Sequence, residues 1–522
     1  MSLSNPESII DEILEAKADN RFEHAFVLLM RMLDTHTNLF LNPRTWSNLI
    51  NQPSIFKSTP AHESNIQFIT AVMRLLNQIS INGQAELGKK LANSFLQGAH
   101  FRLTAHSNSN LKKMMSFRAN LIQKSDFILA EQEFFFKSPV AHPTIPRVGI
   151  LFRHLKSDPE TTSLIPFISQ ARKNGIEVVI FVFDQSSSND FSNLLNSYGN
   201  RTVLLSQKLS EAVQQLRTAD LDILIYGNDV TAKLSLGACL SFHRVARKTI
   251  ITVSTLATTA SNFVDIYFGC AFHSNRGGAL EFTEQFVSLP DPGFAFLFNE
   301  TETIRHDQPI REIFTIAKET IIFVSGANQT KLHEPVLNAW AEILKRVNSS
   351  ILILYPFPPH FGSTNNSSAV KVRDYFISLN IKPERIIILA QLPGRQAVKA
   401  LLRQTDIALD SFPYTGVTTI VNSLESGVPT VTLAGDTLRS SQGAAILASV
   451  GLDELITSSI ESYINLSVKL AMHSDYRKGI RRQIQALNES SPPYTDEVNF
   501  GNAAVVEYFR IHSDLNSVTE RI

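Results

Sequence analysis

Apolar residues recur at three- and four-residue spacing through the first part of the chain. This spacing places them on one face of an α-helix, which completes a turn in about 3.6 residues. Alternation of apolar and polar residues, the mark of a half-buried strand, is absent here. The pattern predicts an all-helical domain over residues 1–142. The apolar positions are Ile9, Ile10, Ile13 and Leu14; Phe22, Ala25, Phe26, Leu28, Leu29 and Met32; and Ile66, Phe68, Ile69, Val72, Leu75 and Leu76.

The pattern changes near residues 142–146, where two prolines fall within five residues. Beyond this point, short apolar runs alternate with helical stretches such as residues 164–171. That alternation is typical of βαβ units and a parallel sheet. It predicts a doubly wound α/β domain over residues 143–300. The predicted strands are 148–152, 178–183, 203–205, 223–226 and 250–253.

The same pattern restarts after a polar stretch at 299–310, which we interpret as a linker. Helices are predicted at 334–347 and 418–426, and a second α/β domain with a C-terminal helix at 311–522. Parallel sheets bind ligands at the carboxyl ends of their strands, so two such domains are expected to face a shared cleft. The predicted strands are 320–324, 351–355, 385–389, 407–410 and 430–433.

Composition narrows the function classes. The 522 residues are 43% hydrophobic and 18% charged, with Lys+Arg and Asp+Glu at 48 each. A net charge of zero argues against nucleic acid or an anionic membrane as the main partner. Cys239 and Cys270 are the only cysteines, which excludes a disulfide framework. We predict a cytoplasmic protein, because the N-terminus lacks a signal-peptide pattern and no apolar run is long enough to span a membrane.

The densest chemical signal lies at 409–456. Leu409 and Asp410 end a strand, a loop follows through Gly416, and Thr418 and Thr419 open a helix. Unpaired backbone N–H groups and hydroxyls at a helix N-terminus form an anion site suited to a diphosphate. The alternative is an ordinary strand–loop–helix in which a threonine caps the helix.

Metal and Walker-type phosphate sites are not apparent. No cluster of His, Cys and Asp has metal-ligand spacing, and no clear Asp-X-Asp pair follows a strand. No glycine-rich loop of the Walker type is present. A metal-independent reaction with no cofactor is therefore expected.

The stretch 410–444, DSFPYTGVTTIVNSLESGVPTVTLAGDTLRSSQGA, resembles the C-terminal signature of glycosyltransferase family 41. This O-GlcNAc transferase-like group includes bacterial adhesin-modifying N-glycosyltransferases. The stretches 328–354 and 381–389 are similar to the same family, whereas 254–269 resembles it only weakly. The resemblance implies an α/β protein of GT-B type, with two Rossmann-like domains facing a cleft. The helical domain lacks tetratricopeptide repeats and looks more like the leader of the bacterial branch.

The resemblance also implies residue roles. Lys331 stands where the family has a lysine that contacts the diphosphate, and it would stabilise the leaving UDP. Thr418 and Thr419 match the hydroxyl pair at the phosphates, and Gly416 lets the backbone approach them. Gln329 and Tyr414, in the same two loops, are counted with the donor site.

Three departures from the family pattern stand out. Val417 replaces a frequent histidine, and Asn422 replaces an aspartate bonded to the ribose, where an amide bonds without charge assistance. A family lysine and histidine are also missing in 392–402, where Arg395 and Lys399 are candidate substitutes.

His154, after the first strand of the second domain, is similarly placed to a family histidine near the acceptor. It is our candidate base or sugar-binding group. The alternative is a surface-loop histidine. Thr258, Thr259 and Ser261 occupy the loop where the family approaches its acceptor.

The prediction is therefore a metal-independent enzyme that moves GlcNAc or a hexose such as glucose from a UDP-sugar to Ser, Thr or Asn of a protein. The bacterial layout suggests that the acceptor is an exported surface protein. Two alternatives stay open: a non-catalytic partner or chaperone of a glycosylation system, and a sugar-nucleotide metabolic enzyme such as an epimerase.

Overall fold

A computed structural model describes residues 5–51, 59–81, 84–136, 145–156, 158–184, 193, 195, 201–298, 309–357 and 368–519. Residues 299–308, most of the predicted linker, lie outside the described residues. So do residues 137–144, which hold most of the first predicted boundary. The described chain forms a helical unit followed by two α/β units, each built on a parallel sheet.

The helical unit confirms the helix-spaced pattern of the N-terminal part. Asn5 and Asn42 begin two of its helices as N-caps, each accepting a backbone N–H and followed by proline at the first helical position. The predicted apolar stripes meet in one core around Trp46, whose Nε1 donates to Phe40 O at 2.8 Å. The helices are α1 Pro6–Ala18, α2 Phe22–Thr35, α3 Pro43–Ile50, α4 Thr59–Ile81, α5 Ala85–Gly98 and α6 Lys112–Gln123, with short 3₁₀ turns at Thr37–Leu41 and Arg102–His106.

The first α/β unit holds a seven-stranded parallel sheet in the order β3-β2-β1-β4-β5-β6-β7. The five predicted strands are present. The last two were missed, because neither is an unbroken apolar run: Gly269 lies within β6, and Gln285 and Ser288 lie within β7. The strands are β1 Arg147–His154, β2 Glu177–Asp184, β3 Arg201–Leu204, β4 Ile223–Tyr226, β5 Lys248–Ile251, β6 Ile266–Cys270 and β7 Gln285–Leu289. The helices are α7 Pro159–Thr162, α8 Ile165–Lys173, α9 Leu209–Thr218, α10 Leu236–Leu240 and α11 Ala271–Ser274, with a 3₁₀ turn at Gly278–Glu281.

The second α/β unit holds a six-stranded parallel sheet in the order β10-β9-β8-β11-β12-β13. Its strands are β8 Ile321–Ser325, β9 Ser350–Phe357, β10 Ile386–Ala390, β11 Ile407–Leu409, β12 Thr430–Leu433 and β13 Ile456–Thr457. Its helices are α12 Ile310–Ile313, α13 Glu334–Arg346, α14 Ser368–Ser378, α15 Gly394–Arg403, α16 Thr418–Glu425, α17 Leu438–Ser449, α18 Ile460–Met472 and α19 Ser474–Asn488, with 3₁₀ turns at Gln329–Lys331, Pro383–Arg385 and Asp453–Leu455.

The last helix, α20 Glu497–Thr519, packs on the first sheet although it follows the second in sequence. Its Tyr508 ring lies 4.3 Å from the Phe167 ring of α8. A side chain at Gly501 would place its Cβ 2.3 Å from Pro166 O, so the two helices approach as closely as glycine permits. Its position at the end of the chain had led us to predict that this helix belongs to the second α/β domain. In the structure it covers the first sheet instead.

The helical unit contacts both α/β units. Phe101 N donates to Ala232 O at 2.7 Å in the first unit, and Asp436 N donates to Asn108 Oδ1 at 3.1 Å in the second. Each sheet has buried apolar clusters on both faces, as doubly wound units require. The predicted fold class, helices followed by two facing Rossmann-like units, is confirmed.

Candidate functional site

Two adjoining cavities open where the carboxyl ends of the two sheets meet. One, the interdomain cavity, holds about 440 Å³ and is lined by both α/β units. The other, the loop cavity, holds about 500 Å³, and all of its lining residues except Pro159 belong to loops, helix starts and strand ends of the second unit. The residues shared by both cavities are Pro159, Asn328, Lys331, Val417 and Thr418.

A short turn after β8 places Lys331 at the junction of the two cavities. The side chain of Asn328 starts this turn by accepting from Thr330 N at 3.0 Å. The Lys331 ammonium then donates to Thr415 O at 2.7 Å and lies 3.9 Å from the centre of the Tyr414 ring. The turn and the neighbouring loop of the same unit thus hold the ammonium in one place.

Burial sets the charge state of this lysine. Removal from water disfavours the ammonium and lowers the pKa of Lys331 to about 8, while the negative charge of Asp410 opposes the shift. Without an anion in the cavity, the cation is therefore only weakly stabilised. A bound diphosphate would supply the missing counter-charge.

Asp410, at the end of β11, organises the loop that carries Tyr414 and Gly416. Its Oδ1 accepts from Ser411 N at 2.9 Å and from Gly416 N at 2.7 Å, and its Oδ2 accepts from Thr432 Oγ1 at 2.6 Å. Burial raises the pKa of this carboxyl, an effect that these bonds and Lys331 oppose. Asp410 therefore fixes the loop from beneath.

Gly416 is required where the loop meets α16. A Cβ at this position would lie 2.0 Å from Thr419 Oγ1 and 3.0 Å from Asp410 Oδ1. Thr418 and Thr419 both line the loop cavity at the helix start. Val417 occupies the N-cap and supplies no hydrogen bond, so the helix start is not capped by a side chain. This is the geometry that suits an anion.

Asn422 lines the loop cavity one turn into α16, and its side-chain amide is hydrogen-bonded to Arg395. Arg395 Nε donates to Asn422 Oδ1 at 2.8 Å. Since that oxygen accepts from Arg395, the amide keeps N–H groups to offer a ligand. Arg395 and Lys399 also form ion pairs with Glu425, so the two candidate substitutes for family cations are already partnered.

Gln329 lies in the Lys331 turn but is not among the residues that line either cavity. His154, at the end of β1, does not line them either. Its Nε2 lies 3.3 Å from Asp158 Oδ2. Asp158 and Glu160 are the acidic groups that the first unit contributes to the interdomain cavity.

Several residues of the cleft were not predicted from the sequence. Asp158 and Glu160 stand only a few positions after His154, in the segment that follows β1. Gln442 and Phe296 also line the interdomain cavity, and no local pattern marks them. The hydroxyl loop has a structural role: Thr258 and Thr259 donate to the buried carboxylate of Glu284 at 2.6 and 2.5 Å.

No group of three or more metal-ligating side chains occurs in the described part of the chain. Among the same residues, every helix falls short of the length and apolar character needed to cross a bilayer.

Comparison with known proteins gives the site a family context. Residues 302–499 match the model of glycosyl transferase family 41. A relative from Petunia hybrida, a probable UDP-N-acetylglucosamine–peptide N-acetylglucosaminyltransferase SPINDLY, is 27% identical over 294 residues, 55% of this chain and 29% of the relative. The SPINDLY protein of Solanum lycopersicum is 24% identical over 373 residues, 70% of this chain and 36% of that protein. The chain thus spans about a third of the length of these curated relatives.

The fold comparison extends over the whole chain. A solved mutant of the Thermobaculum terrenum O-GlcNAc transferase superposes with a TM-score of 0.65 and 18% identity, covering 99% of both chains. At this identity the likeness shows the fold, and the predicted GT-B architecture is confirmed. The resemblance inferred from 410–444 is confirmed by the family match.

Proposed function

Since residues 302–499 match the model of glycosyl transferase family 41, we propose that the chain transfers a sugar from a UDP-sugar to a protein side chain. The observation that carries the proposal is the position of Lys331. Its ammonium lies between the loop cavity, with its uncapped helix start, and the interdomain cavity, which both α/β units line. A donor diphosphate at this junction would contact the cation and the helix start together.

The chemistry follows from that placement. Transfer breaks the bond between the sugar carbon and the diphosphate oxygen, and negative charge builds on the departing UDP. The Lys331 ammonium and the N–H groups at the start of α16 would stabilise this charge as it develops. Both groups are fixed before the reaction, by Thr415 O and by the loop around Asp410. No metal ion is required in this scheme.

The names of the relatives favour UDP-N-acetylglucosamine as the donor and a peptide as the acceptor. Two are called probable UDP-N-acetylglucosamine–peptide N-acetylglucosaminyltransferases. We therefore place UDP-GlcNAc first among the donors, with a UDP-hexose such as UDP-glucose second. The acceptor would be Ser, Thr or Asn of a protein, and an exported surface protein and a cytoplasmic location stay predictions.

Calorimetric titration with UDP, UDP-GlcNAc and UDP-glucose in the presence of EDTA tests donor binding. We expect saturable binding and a rise in melting temperature, because a ligand that binds only the folded state stabilises it. Thr419→Ala should weaken binding, whereas Ser378→Ala, at an exposed hydroxyl of α14 in the same unit, should not. Unchanged melting at millimolar nucleotide would exclude a UDP-sugar enzyme.

A non-catalytic partner of a glycosylation system is the second candidate. Val417 at the helix start and the Arg395 bond to Asn422 favour it, since both differ from the family pattern expected of a ribose and phosphate site. Mass spectrometry of candidate acceptor proteins, incubated with the protein and each UDP-sugar, separates the two. Added sugar mass supports the enzyme, and stable co-purification without added mass supports the partner.

A further inference from the structure

Glu160 is the carboxylate that the first α/β unit brings to the proposed reaction centre. It lies in α7, the short helix that follows β1, and lines the interdomain cavity. Lys331, Tyr414 and Thr418 of the second unit line that same cavity. An acceptor side chain in this cavity would therefore meet Glu160 and the donor-side cation within one enclosure of about 440 Å³.

The side chain of Glu160 is held by one oxygen. Asn228, in the loop after β4, donates its amide N–H to Glu160 Oε2. Within the described part of the chain, Oε1 accepts no hydrogen bond and forms no ion pair. A carboxylate that is oriented through one oxygen and has the other available is the arrangement that a general base needs.

The neighbouring carboxylate is already occupied. Asp158 Oδ1 caps α7, accepting from Thr161 N at 2.8 Å and from Thr161 Oγ1 at 2.7 Å. Its Oδ2 lies 3.3 Å from His154 Nε2. His154 itself stays outside the cavity lining, so Glu160 is better placed than either to reach an acceptor.

We propose that Glu160 is the general base of the transfer, an inference that rests on the proposed function. Oε1 takes the proton from the acceptor hydroxyl or amide as its oxygen or nitrogen bonds to the sugar carbon. The bond from that carbon to the diphosphate oxygen breaks, and its electron pair leaves with UDP. The protonated carboxyl returns its proton to water once the products have left.

The surroundings suit this role near neutral pH. Burial raises the pKa of Glu160 to about 7, and the hydrogen bond from Asn228 opposes this rise. The negative charges of Asp158 and Asp229 raise the pKa further, whereas the positive charge of Arg102, in the helical unit, lowers it. Across the cavity the charged or titratable groups are Lys331 and Tyr414. A base whose pKa lies close to the working pH combines ionisation with proton affinity.

Glu160→Gln tests the inference, with Glu177→Gln as the matched control at an exposed carboxylate of the same unit. We expect Glu160→Gln to lower kcat by roughly a hundredfold or more while UDP affinity stays within about twofold. Glu160→Asp should retain part of the rate, since it keeps the carboxylate but draws it back. Glu177→Gln should behave as the wild type.

The pH profile distinguishes a base from a structural residue. In the wild type, kcat/KM should rise with pH through about 7, and Glu160→Gln should lack this limb. Asn228→Ser should move the limb to higher pH, because the lost bond favours the ionised carboxyl. A Glu160→Gln enzyme with near-normal kcat, or one that keeps the acid limb, would overturn the inference.

The two levels of proposal fail differently. If the wild type transfers no sugar, the proposed function falls and Glu160 with it. If the wild type transfers sugar and Glu160→Gln does so equally well, only the assignment of the base is wrong. Circular dichroism and UDP titration of each variant confirm that a lost rate does not reflect a lost fold.

Discussion

Arg439 and Glu281 form a buried ion pair across the two α/β units, with Nη1 3.1 Å from Oε2. The same guanidinium donates to Ser109 O of the helical unit at 2.8 Å and to Leu256 O of the first α/β unit at 3.2 Å. One arginine of α17 thus joins all three parts of the chain. Its planar fork allows several bonds at once, which a lysine could not reproduce.

Removing one partner of this pair should be costly. Arg439→Met leaves the Glu281 carboxylate buried without its counter-charge. We expect the free energy of unfolding to fall by about 3–5 kcal/mol. Arg346→Met is the control, because Arg346 and Glu342 form an exposed pair whose loss should cost less than about 1 kcal/mol. Urea denaturation measures both. Similar losses for the two variants would contradict a special role for Arg439.

Lys331→Ala should lower kcat by about a hundredfold, roughly 2.7 kcal/mol, with a smaller loss of UDP affinity. The reason is that, in the proposed reaction, the ammonium would stabilise the negative charge that grows as UDP departs. Steady-state kinetics with UDP titration separates the two effects. Lys345→Ala, in the last turn of α13, controls for the loss of a lysine. A loss of UDP affinity with kcat unchanged would show that Lys331 serves binding alone.

The fall in kcat/KM at high pH should reflect deprotonation of Lys331. The pKa of Lys331 is lowered to about 8 in the ligand-free protein, and only the protonated form can stabilise the diphosphate. We therefore expect kcat/KM, which reflects the free enzyme, to fall as pH rises through about 8. Lys331→Arg should be slower but should keep its rate to higher pH, because arginine stays charged. A basic limb that is unchanged in Lys331→Arg would assign it to another group.

Transfer should survive EDTA. The described residues contain no cluster of three or more metal-ligating side chains, and in the proposed scheme Lys331 and the start of α16 would neutralise the diphosphate charge. Rates with EDTA and with added Mn²⁺ or Mg²⁺ should agree within about twofold. Complete loss on chelation, restored by either ion, would transfer that role from Lys331 to a metal.

Acid should destabilise the junction between the helical unit and the second α/β unit. His62, His106 and His333 cluster there, with ring centres of His62 and His333 4.9 Å apart. Burial lowers the pKa of His333 to about 4 and that of His62 to about 3, below the value of about 6.5 in an unfolded chain. The unfolded state then binds more protons, so stability falls as pH drops from about 6.5 toward 4. His333→Asn should flatten this fall in melting temperature, and His24→Asn, at an exposed histidine, should leave it unchanged.

Local patterns were enough to predict most of the fold. The long apolar runs of β1 and β2 lie in the middle of a covered sheet, and such strands are apolar throughout. By contrast, β13 has two residues and cannot show a pattern. The sheet against which α20 packs could not be predicted either. An apolar helix face shows that the helix is partly buried, but not which sheet it covers.

The residues of the candidate site likewise fall into those that the sequence could predict and those that only the fold brings together. Lys331, Tyr414, Gly416, Thr418 and Thr419 lie in two loops of one unit, and the family resemblance identified them together. Glu160 and Gln442 reach the cleft from elements far apart in sequence, so only the folded chain brings them together. The orientation of Asn422 likewise depends on Arg395, a residue that precedes it by 27 positions.

The return of α20 to the first sheet has a mechanical consequence. The backbone passes from the first α/β unit to the second after Phe298 and comes back before Glu497, and the two crossings touch: Phe296 N donates to Tyr494 O at 2.8 Å. This double crossing fastens the two α/β units together, in addition to the Arg439–Glu281 pair and the contacts through the helical unit. Cutting the chain before α20 would remove one of the two crossings and leave the first sheet without the helix that covers it.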